Sequence, residues 1–152
     1  MRPILSTLAA IALVLAACSG VLAADHHPPA TIRFGEAFKG HRLVNIADKI
    51  PSGKNVAWSA HVSKLPATKL TVRLTQTKGP GPHPAVVAKW TVKLSKSAKV
   101  LSGMLTAERL KKMRLSHSTF QLAYLAGKTV IAVGSWTRLS CASCGGGNSG
   151  TY

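Results

Sequence analysis

The chain has 152 residues, 46% of them hydrophobic and 5% aromatic, with 20 Lys+Arg against 4 Asp+Glu and a formal net charge of +16. That apolar share supports one folded domain and excludes a disordered basic tail. The four acids, Asp25, Glu36, Asp48 and Glu108, are too scattered to build a hydrolytic carboxylate pair or a multi-carboxylate Mg²⁺ or Ca²⁺ site.

Arg2 precedes an uncharged, mainly apolar run of fourteen residues, Ile4 to Ala17, and small residues follow at Cys18, Ser19, Gly20, Ala23 and Ala24. Residues 1–24 therefore read as an export signal. As a helix the run spans roughly 21 Å, short of the ~30 Å hydrocarbon core, although an uncleaved anchor stays open because the uncharged stretch continues to Ala24. The order Leu15-Ala16-Ala17-Cys18 resembles the lipobox of bacterial lipoproteins. The resemblance implies cleavage before Cys18 and a lipid on that cysteine; simple secretion, with cleavage after Ala23 or Ala24, is the alternative. Either way Arg2 is lost, and 19 basic residues remain against 4 acidic ones.

Asp25-His26-His27-Pro28-Pro29-Ala30 reads as a linker, since consecutive prolines favour an extended chain and prevent helix. Cleavage after Ala23 or Ala24 would make His26 or His27 the third residue. An α-amine, two amide nitrogens and an imidazole then form a square-planar site suited to Cu²⁺ or Ni²⁺. Acylation of Cys18 would abolish it.

The body, residues 31–139, alternates with a period of two. Thr31 to Phe34 and Leu43 to Ile46 are the fainter early strands. Then come Val56, Trp58, Ala60 and Val62; Leu70, Val72 and Leu74; and Val86, Ala88, Trp90, Val92 and Leu94. A short strand at Val100 to Leu101 precedes Phe120, Leu122 and Tyr124, and Val130, Ala132, Gly134 and Trp136 close the series. Each set predicts the inner face of a half-buried strand, with Trp58, Trp90 and Trp136 all buried. Pro51-Ser52-Gly53-Lys54, Leu65-Pro66-Ala67 and the proline-glycine run from Lys78 to Pro84 supply loops, and Gly127-Lys128 a tight hairpin. One helix is expected over Thr106 to Met113, with Thr106 as cap, Glu108 in the first turn, and Lys111 and Lys112 in the last. Leu105 and Leu110 stand at the positions of a hydrophobic staple, and Leu110 and Met113 are expected to plug one end of the core. Residues 140–152 form a Gly/Ser-rich tail.

About seven strands in such a length is the arithmetic of a sandwich. Phe34-Gly35, Val56 to Ala60, Phe120 to Leu125 and Lys128 to Trp136 together resemble the immunoglobulin-like domains of bacterial extracytoplasmic lipoproteins. The resemblance implies an all-β fold: a single immunoglobulin-like antiparallel β-sandwich with one short crossover helix. It also implies binding or envelope architecture instead of a reaction. Many such domains tie a corner with a tyrosine hydroxyl at the start of the penultimate strand. Here Phe120 holds that place and has no hydroxyl.

The strongest internal signal is a short duplication. Lys69-Leu70-Thr71-Val72-Arg73-Leu74-Thr75 matches Lys89-Trp90-Thr91-Val92-Lys93-Leu94-Ser95 at a spacing of twenty residues. If the two segments pair, Lys69, Arg73, Lys89 and Lys93 share one outward face, fit for an anionic partner. Exposed strand lysines also deter edge-to-edge aggregation, so the face has two readings. Lys39, Lys49, Lys54 and Lys128 lie apart from it in the sequence and are expected to matter less.

Cys141 and Cys144 have C-x-x-C spacing in the tail and start no helix. If Cys18 carries lipid they pair evenly as a local disulfide outside the cytoplasm; a metal or a redox thiol is the alternative. One such pair supplies only two zinc ligands, and His41, His61, His83 and His117 show no paired ligand spacing, so no cofactor or metal set is expected. No nucleophile has a base beside it and no phosphate-binding glycine loop follows a strand, so no catalytic residue is expected. The charge suits nucleic acid, but inward tryptophans leave no stacking platform, so no sequence-specific nucleic acid is expected and only non-specific attraction stays open. The sequence thus predicts an extracytoplasmic binding or structural module of the bacterial envelope. It would be held by lipid, or be secreted or periplasmic if Cys18 is unmodified, and it would favour anionic envelope polymers or lipid head groups. A periplasmic copper or nickel handler, or an accessory subunit of an envelope enzyme or transporter, is the alternative.

Overall fold

The computed structural model of the protein describes residues 29–38, 42–113 and 118–140. In chain order the elements are β1 (Ala30–Thr31), β2 (Arg33–Phe38), β3 (Arg42–Ile46), β4 (Lys49–Pro51), β5 (Val56–His61), β6 (Lys69–Lys78), β7 (Ala85–Lys93) and β8 (Val100–Leu105). The helix α1 (Ala107–Lys112) then leads to β9 (Ser118–Ala126) and β10 (Thr129–Leu139). The first sheet runs β1-β10-β9-β6-β7, with β4 beside the far end of β10; the second runs β3-β2-β5-β8. The chain joins the first sheet at Ala30, the last residue of the expected linker, which pairs with Ala132.

The two sheets face each other as the alternation requires. Leu70, Val72 and Leu74 of β6, Phe120 and Leu122 of β9, and Ala132 of β10 are fully buried on one side. Phe34, Val56, Trp58, Leu101 and Leu105 meet them from the other. The Trp136 ring lies 4.8 Å from that of Phe34 and 5.1 Å from that of Phe120, so Phe120 makes a ring contact where a corner tyrosine would have offered a hydroxyl. In immunoglobulin terms β2, β5 and β8 take the places of strands A, B and E. Likewise β6, β9 and β10 take those of C, F and G, with β7 beside C and β1 parallel to G. The fold is an all-β, two-sheet sandwich with one short crossover helix.

Between strands B and F, where antibody domains carry a disulfide, a hydrogen bond joins the sheets. Trp58 Nε1 donates to the Tyr124 hydroxyl at 2.9 Å. The Trp58 ring lies over Gly103, its pairing partner on the neighbouring strand β8 of the same sheet; a Cβ there would stand 2.3 Å from ring carbon Cζ2, so the close approach requires glycine. Burial pushes the Tyr124 hydroxyl above its ordinary pKa, against the opposing pull of the Trp58 hydrogen bond. The folded chain therefore keeps a proton that the unfolded chain releases near pH 10. The resulting stabilisation is complete below that value and is lost as pH climbs through the folded-state value. In a Tyr152→Phe variant, which leaves Tyr124 as the sole tyrosine, phenolate absorbance should stay absent past pH 10 and rise together with alkaline unfolding. A free titration near pH 10 would place the hydroxyl in water.

Thr106 caps α1 as its sequence implies, its hydroxyl accepting from Arg109 N at 3.2 Å. Glu108 and Lys112 form a pair at 2.9 Å. Leu105 and Leu110 are buried at the two staple positions, and Met113 packs against the core. Gly127, with φ of 60° at the first position of a two-residue hairpin, meets the requirement of a type II′ turn.

Three inward assignments are corrected. Leu74 pairs with Ala88 but Thr75 with Val86, so Val87 is an extra residue in β7 and the alternation inverts. Val86, expected inside, is 60% exposed. Val130, also expected inside, is 36% exposed because β10 bulges in the same way at Ile131. Trp90 is half-buried, not buried: β7 ends its sheet, and the Arg109 guanidinium lies over the ring, 5.7 Å from its centroid.

Candidate functional site

The duplicated segments are the first seven residues of β6 and the end of β7 with two residues beyond it, and they pair directly. The register sets Lys69 opposite Lys93, Thr71 opposite Thr91 and Arg73 opposite Lys89. Because Leu70, Val72 and Leu74 point into the core, Lys69, Thr71 and Arg73 point out. Lys69, Lys89 and Lys93 are exposed and Arg73 is half-buried. Neither strand contains a carboxylate. Glu36 in β2 pairs with Lys54, Glu108 in α1 with Lys112, and Asp48 precedes β4. Like charges set opposite one another across strands cost a few tenths of a kcal/mol each, and here nothing of the opposite sign lies on the same strands to offset it.

The face has relief. A shallow depression of about 310 Å³ is lined by Thr71, Arg73, Lys89, Leu125, Gly127 and Lys128. Pairing of Thr71 with Leu125 brings the β9–β10 hairpin alongside β6, and the turn carries Lys128 to the rim. Lys128, which its place in the sequence sets apart from the face, thus joins Arg73 and Lys89. Lys69 and Lys93 stand on the same strands but do not line the hollow. Arg73 Nε is buried and has no hydrogen-bond partner among the described residues. Arg138 is a different kind of cation: it is buried, donates to Ser52 Oγ at 3.1 Å, and burial lowers its pKa.

A second depression, of about 350 Å³, opens on the other sheet among Leu43, Ala57, Ser59, Ser102 and Met104 and carries no charged side chain. Of the other sequence-derived candidates, Cys18, His26, His27, Lys39, His41, His117, Cys141 and Cys144 lie outside the described residues. His61 is exposed at the end of β5, and the His83 ring meets the Gly79 carbonyl within its own loop. No group of three or more His, Cys, Asp or Glu comes together among the described residues.

Among solved structures the chain is similar to an immunoglobulin-like protein of Pseudomonas aeruginosa. The two share 18% identity at a TM-score of 0.49, over 70% of this chain and 90% of that one. No protein-family model and no curated protein matches the sequence.

Lys128 is the residue of the face that sequence reasoning missed. Its only local signal is the Gly127-Lys128 turn, which locates a hairpin but not the strand beside it.

Proposed function

We propose that this chain is an exported, lipid-anchored binding module of the bacterial cell envelope whose β6–β7 face engages anionic surfaces. The observation that carries the reading is the register: Lys69 opposite Lys93 and Arg73 opposite Lys89, on strands with no carboxylate. Such a face concentrates phosphorylated polymers or anionic head groups, and its attraction fades with salt. Supporting the anchor are the apolar run from Ile4 to Ala17 and the Leu15-Ala16-Ala17-Cys18 order. Asp25 to Pro29 would then serve as the spacer between lipid and sandwich.

One fractionation tests both halves. In a bacterial host the wild-type chain should stay with the membrane in low and high salt, and mass spectrometry should find lipid on Cys18. The Cys18→Ser chain, exported behind a signal that is cleaved without the lipobox, should leave the membrane in high salt only. Release at low salt would remove the anionic reading. An unmodified N-terminus at Ala24 or Asp25 would remove the anchor and return His26 and His27 to attention as a Cu²⁺ or Ni²⁺ site.

A further inference from the structure

We infer that the hollow between β6, β7 and the β9–β10 hairpin is a seat for a single phosphate group, held by Arg73, Lys89 and Lys128 with the Thr71 hydroxyl. The inference rests on the anionic reading of this face and narrows it from a charged surface to one place on it. Arg73 and Lys89 from one hairpin and Lys128 from another, distant in the chain, line the same depression of about 310 Å³, and no carboxylate joins them. A surface that only needed charge could spread its lysines. Here the fold gathers three and leaves Lys69 and Lys93 outside.

The chemistry of the lining selects the ligand. Arg73 offers a planar fork held by a half-buried stem, and its Nε finds no acceptor among the described residues. That Nε is closed to water and so to a ligand oxygen as well, which leaves the outer guanidinium nitrogens to meet a ligand in the hollow. Lys89 and Lys128 add two mobile point charges from the opposite sides. Leu125 is 8% exposed and gives the hollow an apolar wall, which strengthens charge interactions beside it. Gly127 contributes no side chain, so that end stays open to a ligand attached to something larger. A carboxylate is flat, carries one charge and is satisfied by Arg73 alone. A phosphate is tetrahedral and, as a monoester, carries about −1.5 to −2 at neutral pH, which matches three cations arriving from three directions. The group could be free phosphate or the terminal phosphate of a lipid head group.

The test uses the chain from residue 18 onward with Cys18→Ser, so that neither a lipid nor the apolar run of Ile4 to Ala17 holds it to a vesicle, and reads the arginine Nε–Hε signals by ¹⁵N NMR. Arg73 is identified by the signal missing from Arg73→Lys. Inorganic phosphate added at constant ionic strength should shift that signal saturably, and acetate should not. Lys128→Gln or Lys89→Gln should weaken phosphate binding roughly tenfold or more, as loss of a charge-assisted contact does. Lys69→Gln and Lys93→Gln should weaken it less than twofold. If phosphate at constant ionic strength also releases the chain from vesicles containing phosphatidic acid, a lipid phosphate takes the seat; if it does not, the seat is for free phosphate. A saturable shift that all four lysine variants weaken equally overturns the seat in favour of a diffuse field. No shift alongside retained binding to anionic vesicles overturns the seat and leaves the broader reading standing. Loss of both removes the two together.

Discussion

Replacing Trp58 with alanine should destabilise the domain by roughly 3 to 5 kcal/mol, the range for truncating a large core aromatic. The side chain does three things at once. It is 4% exposed between the sheets, it packs over the space that Gly103 leaves, and it supplies the N–H that the buried Tyr124 hydroxyl accepts. Its nearest ring neighbour, Trp90 at 6.5 Å, is only half-buried and cannot collapse inward without giving up its contact with Arg109. Trp58→Phe separates these roles, because it refills most of the volume but removes the donor; it should cost roughly 1 to 3 kcal/mol. Urea unfolding decides the matter through a lower midpoint with an unchanged slope. A loss below about 1 kcal/mol for Trp58→Ala would mean that the ring is not at the sheet interface.

The second large effect is on binding. Changing Lys69, Arg73, Lys89 and Lys93 together to glutamine should weaken binding to anionic vesicles by about two to three orders of magnitude, since each cation near such a surface is worth about 1 kcal/mol. The control is Lys49, Lys54, Lys111 and Lys112, also changed to glutamine, which removes the same formal charge from other elements. That variant should lose about tenfold at most, through the weaker overall field. Restoring Arg73 and Lys89 in the first variant should recover more than restoring Lys69 and Lys93, because only the former pair lines the hollow beside Lys128. Equal losses in the two quadruple variants would leave the strand lysines with their other role, guarding an edge strand against a second copy.

Much of this was legible from residue order. The alternation in Val56 to Val62 and in Leu70 to Leu74 gave the inner faces of β5 and β6, because a strand buried on one side writes its pattern directly into polarity. The helix was legible down to its cap, since Thr106, Glu108 and the following lysines satisfy local demands of a helix end. The matched segments predicted a shared cationic face because strands joined by a loop usually pair. What stayed hidden was non-local or unsigned. The bulges at Val87 and Ile131 are single extra residues with no side-chain signature, yet each turns every earlier position of its strand to the other face. Trp90 reads as core because its neighbours alternate correctly; only its place on the last strand of the sheet leaves it half open. Lys128 reaches the hollow through the pairing of β6 with β9, a choice of partner that neither segment announces by itself.

The hydrogen bond from Trp58 to Tyr124 has a consequence for when and where the chain can fold. Between Pro29 and Ser140 there is no cysteine, so the sandwich waits for no oxidant and loses nothing to a reductant. Even if Cys141 and Cys144 pair in the tail, the ring they close spans two intervening residues and constrains the unfolded sandwich hardly at all. A domain of this topology folds on the order of milliseconds to seconds because its pairings are distant in sequence. On the export route proposed above, speed and not chemistry would keep the chain threadable: it would have to leave the cytosol inside that interval, since no withheld disulfide within the sandwich keeps it open.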